Sequence, residues 1–377
     1  MSRPLPTVLT AAALTALAAC ATPAPTDGEL LVIAATAVAN EQRPSLTTAA
    51  RHEIETALAT DTARLRVVVT SPQRPTVIED GDLRLRRGTQ IEHDPTRRAE
   101  LTTREVTRVG GVLGDAASQA PQLDLLGLLD YVARTPGKVT AVLISSGVQT
   151  TGPLALDRLG WDQVGTDAVI EQAQRDGLVP DLHGKRVVFT GLGEVDPPQE
   201  TLPAPLRARL VQLWLKLCRA GGGDCVQDDE PVPGGTPKST TPVPVVPVPH
   251  LPEITAPAAA TPVELPSDIL FGPDSAALLP DAAPVLDRLA AGFPRSAHAH
   301  LVGRTASVGP ADTSRTLSLQ RAEAVRDALV ARGIPAAALT VEGVGYDRPL
   351  IADRDAAGNL IPAAAQRNRS VALTIGS

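Results

Sequence analysis

The stretch VGRTASVGPADTSRTLSLQRAEAVRDALVARGI, Val302 to Ile334, runs from the end of an apolar strand pattern through a glycine-bracketed loop into a long helical pattern. Ser318, Ala322, Val325 and Leu329 recur at spacings of three and four, so they form the core stripe of a helix expected over Thr313–Arg332. Arg321 lies beside that stripe and not on the opposite, wet face, which lets its guanidinium reach back to the loop ahead of the helix. The loop region also carries Arg304 and Arg315 but only one acid, Asp312. An anion is therefore the first ligand to expect, and the planar guanidinium fork suits a bidentate carboxylate.

Working outward, a strand is expected near Asp268–Phe271, a helix over Leu279–Gly292 and a strand over Ala297–Gly303. Beyond the long helix come a strand over Leu339–Gly345, a loop, and a last strand over Ser370–Ile375. Two βαβ units in this short span predict a small α+β domain with helices on one face of a mixed sheet.

Five segments of this region, ILFGPDSAALLPDAAPVLDRLA (269–290), VGRTASVG (302–309), LSLQRAEAVRDALVARGI (317–334), VEGVGYDRP (341–349) and NRSVAL (368–373), occur in an order and spacing that resemble an OmpA-like domain over residues 263–377. The resemblance implies non-covalent binding of the peptidoglycan stem peptide through its diaminopimelate side chain. It assigns the carboxylate of that side chain to Arg321. The family holds the ligand ammonium with the aspartate of a Gly-His-Thr-Asp motif placed fifteen residues before the arginine; here the motif reads Gly303-Arg304-Thr305-Ala306. Ser314 stands for the usual Asn, and Asn368 and Arg369 are kept while Ser370 replaces a second arginine. The resemblance thus implies a ligand site of Arg321, Ala306, Thr305, Ser314, Asn368 and Arg369 that has lost its acid. Losing one partner of a desolvated pair costs about 2–5 kcal/mol, a weakening of roughly tens to thousands in affinity. Asp312 is a candidate replacement, with a helix-capping role as its alternative.

Before this region the pattern changes. LLVIAATAV (30–38), LRVVVT (65–70), VTAVLISS (139–146) and RVVFTGL (186–192) are uninterrupted apolar runs, as expected of parallel strands covered on both faces. Helical patterns fall between them at 47–59, 97–117, 123–133, 166–175 and 205–220, predicting an α/β three-layer sandwich over residues 30–228 with a mostly parallel sheet. The element order and VLISSGVQTTG resemble a von Willebrand factor A domain. The metal motif of that family is absent: Ala34, Ala35 and Thr36 occupy the first strand end, and Ser146 precedes Gly147 where an aspartate is usual. Divalent cations need carboxylate oxygens, and only Asn40, Glu41 and Ser145 remain nearby. Gly191-x-Gly193 is explained by a tight turn, and His52, His93 and His183 lie in separate segments without catalytic spacing.

Between the two regions, residues 229–262 contain PVPGGTPKSTTPVPVVPVPHLPEITAPAAATP, expected to be a semi-rigid polyproline II linker. At the front, MSRPLPTVLTAAALTALAAC reads as a secretory signal over residues 1–20, followed by a tether at 21–29. Its ending Leu17-Ala18-Ala19-Cys20 resembles the lipobox of bacterial lipoproteins, which implies lipidation of Cys20 and a lipid anchor in a cell-envelope membrane. Export makes a disulfide between Cys218 and Cys225 the expected use of the other two cysteines.

A formal net charge of −7 and 2% aromatic residues argue against nucleic acid as a partner. The sequence therefore predicts an extracytoplasmic, non-enzymatic protein with no cofactor and no metal. Its expected partners are the peptidoglycan stem peptide, a membrane through its N-terminal lipid, and a protein, not identified by sequence, that meets the α/β module. The competing expectations are a degenerate domain serving as a protein-binding or structural module, and a metal- or nucleotide-dependent enzyme within residues 29–228.

Overall fold

The computed structural model describes residues 29–250, 262–294 and 296–376. The signal sequence, the lipobox with Cys20 and most of the tether lie outside the described residues, as does the end of the proline-rich segment.

The N-terminal unit is built on six strands. β1 (Leu30–Ala35) is followed by α1 (Thr48–Leu58), β2 (Arg64–Val69), β3 (Thr76–Asp82) and a two-residue ribbon of β4 (Arg86–Arg87) with β5 (Gln90–Ile91). Then come α2 (Pro95–Gly114), α3 (Leu125–Arg134), β6 (Val139–Ile144), α4 (Leu156–Leu159), α5 (Asp167–Arg175), β7 (Lys185–Thr190), α6 (Ala204–Ala220) and β8 (Asp224–Asp228). The sheet order is β3-β2-β1-β6-β7-β8, and only β3 runs antiparallel to its neighbour. Because side chains alternate along a strand, β1 feeds two cores. Val32 and Ala34 pack with α3, α5 and α6, whereas Leu31, Ile33 and Ala35 pack with α1 and α2. That double burial is why the strand reads as a continuous apolar run.

The edge strands β3 and β8 were not expected from sequence. β3 is mostly exposed and polar, and its Asp80 accepts from Arg64 at 2.9 Å and from Arg66 at 2.7 Å on the adjacent strand. Cross-strand ion pairs of this kind hold a strand that hydrophobic patterning cannot reveal. Cys218, at the end of α6, and Cys225, in β8, are joined as a disulfide.

The proline-rich segment, expected to be a semi-rigid polyproline II linker, lies against the N-terminal unit over its described part, residues 229–250. Val243 and Val246, three residues apart, share one face of an extended three-residue-per-turn chain; with Val248 they are buried in the N-terminal core, while Val245 is exposed. A polyproline II backbone has no internal hydrogen bonds, and here the unit supplies them. Gln199 accepts from Val246 N at 2.8 Å and donates to its carbonyl at 2.9 Å, and Trp161 Nε1 donates to the Pro247 carbonyl at 2.8 Å. Residues up to 250 are thus a strap laid on the N-terminal unit.

The C-terminal unit comprises β9 (Val263–Pro266), α7 (Ser267–Leu270), α8 (Ala283–Ala291), β10 (His298–Gly303), α9 (Ala311–Val330), β11 (Leu339–Gly343), α10 (Pro362–Asn368) and β12 (Ser370–Gly376). Its sheet order is β11-β10-β12-β9, with β10 and β11 parallel and β12 antiparallel to both of its neighbours. Residues 268–271, expected as a strand, instead begin with the single helical turn of α7. The strand precedes it, and Phe271 N closes the turn on the Ser267 carbonyl at 2.8 Å. Ser318, Ala322, Val325 and Leu329 are all fully buried, as the stripe requires. The short helix α10 falls in a segment read from sequence as a loop.

The two units touch. α4 packs against α10, and α6 against α7. Arg209 of α6 donates to the Trp161 carbonyl of its own unit at 3.2 Å and to the Phe271 carbonyl of the other at 2.5 Å.

Candidate functional site

A cavity of about 350 Å³ opens between the loop after β10, the start of α9 and the turn that follows α4. That volume lies within the range of small-ligand sites. Thr305, Ala306, Ser314, Arg321 and Arg369 line it, together with Asp274 and two residues of the N-terminal unit, Asp162 and Gln163. The loop is led into place by the sheet: Arg304 N donates to the Ser370 carbonyl and Thr305 N to the Gly345 carbonyl, each at 2.8 Å.

Arg321 is only 6% exposed. Its Nε donates to the Ser275 carbonyl at 2.9 Å, and its guanidinium lies 5.4 Å from the centre of the Phe271 ring, within cation–π range. Burial pulls its pKa below the usual arginine value, while Asp268 and Asp274 oppose that shift. A cation held this way is oriented and poorly hydrated, which strengthens its attraction for an incoming carboxylate. Thr305 is 7% exposed and its hydroxyl has no partner.

Two of the residues assigned by sequence lie elsewhere. Asn368 is fully buried, but its amide oxygen accepts from Leu350 N at 2.9 Å and Ile351 N at 3.1 Å, and its nitrogen donates to the Ile351 carbonyl at 2.8 Å. It clamps a loop and does not face the cavity. Asp312 is in the first turn of α9, with a side chain 99% exposed and 3.7 Å from Arg315. It is absent from the cavity wall, and it does not make the capping bond that was its alternative, because the N-cap is Pro310. The helix starts at Ala311, two residues before the expected Thr313, so Asp312 falls inside its first turn, on the side that faces solvent.

What sequence reasoning missed is a buried charge cluster beside the cavity. Arg369 Nη1 lies 2.9 Å from Asp162 Oδ1, with side chains 12% and 15% exposed. Asp268 is 4% exposed, and its Oδ2 has no partner. Burial, with the nearby Asp162, pushes the Asp268 carboxyl up to about 6, although Arg369, Arg209 and Arg321 pull the other way. No spacing in the sequence connects Asp162, Asp268 and Arg369, which come from three separate segments.

A pH dependence follows. A carboxyl whose folded pKa is raised contributes stability that is complete below its unfolded pKa of about 3.8 and is lost as the pH climbs through about 6. Relative to the wild type, Asp268→Asn is therefore expected to gain up to about 3 kcal/mol of unfolding free energy between pH 4 and pH 7. Denaturant unfolding of both proteins across that range checks it, and parallel pH profiles would contradict it.

The strand ends of the N-terminal sheet offer a contrast. Glu41 is 3% exposed, and its carboxylate accepts from Thr36 Oγ1 at 2.5 Å, Ser145 Oγ at 2.9 Å, and Ser146 N and Oγ at 2.6 and 2.8 Å. Burial pushes its pKa up, and these donors counter that. The adjoining void is about 10 Å³, roughly one water. Gly193 has a φ of +80°, and a Cβ there would meet Arg207 Cγ at 2.6 Å, so a tight turn and close packing account for this glycine. His52, His93 and His183 are exposed and apart. Among the described residues no group of three or more His, Cys, Asp or Glu side chains is arranged to hold a metal. Among them too, no helix is long and apolar enough to cross a membrane.

Comparison with known proteins bears on the C-terminal unit. Residues 270–360 match the OmpA family. The chain is 37% identical over 90 residues to outer membrane protein A of Yersinia pseudotuberculosis, covering 23% of this chain and 26% of that protein. It is 30% identical over 116 residues to the probable lipoprotein YiaD of Escherichia coli, covering 30% of this chain and 50% of that one. The chain thus spans between a quarter and a half of the length of these relatives. Among solved structures, the peptidoglycan-associated lipoprotein of Burkholderia pseudomallei is similar at 25% identity with a TM-score of 0.24, over 28% of this chain and 87% of that one.

Proposed function

From an OmpA-like domain at the C-terminus, we propose that this chain is a non-enzymatic, lipid-anchored protein of the bacterial cell envelope that holds peptidoglycan without cleaving it. The observation that carries this reading is Arg321, buried, oriented by Ser275 and Phe271, and lining a cavity large enough for the end of a stem peptide. A carboxylate entering that cavity meets Arg321 and Arg369 together. The signal and lipobox at residues 1–20 support the anchor, and similarity to a probable lipoprotein and to outer membrane proteins supports the envelope address.

We read residues 30–228 as a three-layer, von Willebrand A-like module that presents a surface to a protein partner. The strand order with one antiparallel edge supports that reading, and the fully engaged Glu41 supports a module that works without a metal at its strand ends. The strap formed by residues up to 250 belongs with the module and not with a spacer.

Purified sacculi test the central claim. The full chain is expected to co-sediment with them, more strongly at low salt than at high because an ion pair carries the contact. No retention even at low salt overturns the reading. A second reading, a protein-binding or structural domain without wall affinity, is favoured by one observation, the alanine at position 306.

A further inference from the structure

The ligand end proposed above carries an ammonium as well as a carboxylate, and Ala306 offers the ammonium nothing. We propose that Asp162, reaching in from the N-terminal unit, is the ammonium-binding group of this cavity, so that the wall-binding site is a composite of both units. This rests on the proposed function.

Asp162 faces the right space. It lines the same cavity as Arg321, Thr305 and Ala306, on the turn after α4 that faces the β10–α9 loop. Its Oδ2 accepts from Gln163 Nε2 at 2.7 Å, but Oδ1, although 2.9 Å from Arg369 Nη1, has no well-directed hydrogen bond. A buried carboxylate oxygen in that condition is an acceptor with capacity left, and an ammonium donor would satisfy it. About 350 Å³ stays open with Asp162 in place, so the residue is a wall of the cavity and not a plug filling it.

The charges fit a zwitterion. Arg209, Arg321 and Arg369 face Asp162 and Asp268 in the cluster. A ligand carboxylate between Arg321 and Arg369, with its ammonium on Asp162, exchanges the Arg369–Asp162 ion pair for two with the ligand. The remaining acids are poorer candidates. Asp312 is directed into water, Asp274 lines the cavity but is exposed, and Asp268 lies outside the lining.

Docking of the units holds Asp162 in position. Arg209 bonds the carbonyl of Trp161, next to Asp162, and the carbonyl of Phe271 under Arg321, so one side chain sets the distance between the two walls. The motif thus lacks its acid, and another, from 144 residues upstream, stands on the wall of the same cavity.

Calorimetric titration of the full chain tests this, with an N-terminally capped stem tripeptide ending in diaminopimelate and the same peptide acetylated on its free side-chain amine. Wild type is expected to prefer the free amine by tenfold or more. Asp162→Asn should bind the two peptides alike, Asp162→Glu should recover part of the preference, and Asp312→Asn, outside the cavity wall, should resemble wild type. A preference that survives in Asp162→Asn, or disappears in Asp312→Asn, overturns the composite site while the wall-binding reading stands. Wild type binding neither peptide overturns both, and that result is distinguishable because it appears before any substitution is made.

Discussion

Arg321→Ala is expected to lower retention of the full chain on peptidoglycan sacculi by roughly thirtyfold or more, with the secondary structure intact. The estimate follows from removing one partner of a desolvated ion pair, about 2–5 kcal/mol, where 1.4 kcal/mol is tenfold. Arg321 earns a value in that range because it is 6% exposed and already fixed by the Ser275 carbonyl and the Phe271 ring, so little side-chain ordering remains to be done on binding. Arg321→Lys should fall between, since it keeps the charge but loses the planar fork. Sedimentation with sacculi, alongside circular dichroism of each variant, is the measurement. Retention unchanged in Arg321→Ala would shift the balance to the protein-binding reading.

Gly303→Ala should destabilise the C-terminal unit by about 3 kcal/mol, the upper end of ordinary overpacking costs. A Cβ on Gly303 would lie 1.9 Å from the Ser318 carbonyl oxygen and 2.7 Å from its carbon, both backbone atoms of α9 that no rotamer change can move aside. The helix must lift from β10, and doing so would break the bond in which Gly345 N donates to Ser318 Oγ at 2.9 Å. Since α9 also carries Arg321, the ligand cavity would be distorted with it. Gly309→Ala is the control: its φ is +73° with nothing within 4 Å of the added carbon, so only backbone strain of about 1–2 kcal/mol applies. Urea unfolding of the three proteins separates close packing from strain, and equal losses at the two glycines would refute the packing argument.

The parts that sequence revealed are those governed by local periodicity. β1, β6 and β7 could be read because burial on both faces leaves an unbroken apolar run, and the stripe through Ser318, Ala322, Val325 and Leu329 because one helical face meets one sheet. β3 and β8 escaped because edge strands owe their place to backbone pairing and surface ion pairs. The strap escaped for a related reason. Prolines at 242, 244, 247 and 249 announce an extended chain, but whether such a chain hangs free or lies on a surface depends on whether Gln199 and Trp161 are there to bond it.

The candidate site divides the same way. Gly303, Thr305, Ala306 and Arg321 were readable as a motif because a strand, a loop and a helix adjacent in sequence deliver them to one place. That position 306 carries an alanine and no acid was readable too. What stands opposite was not. Asp162 and Arg369 are separated by 207 positions, and Asp268 joins them from a third segment, so no spacing rule connects them. Sequence by itself determined the doubly buried strands, the long helices and one wall of the cavity, since these follow from local backbone preferences and from which face must leave water. Only the tertiary structure decided that Asp312 points outward, that Asn368 braces a loop, and that an aspartate of the N-terminal unit meets the arginines of the C-terminal one. Those outcomes depend on how whole units dock, and docking is set by the complementarity of surfaces assembled from residues far apart along the chain.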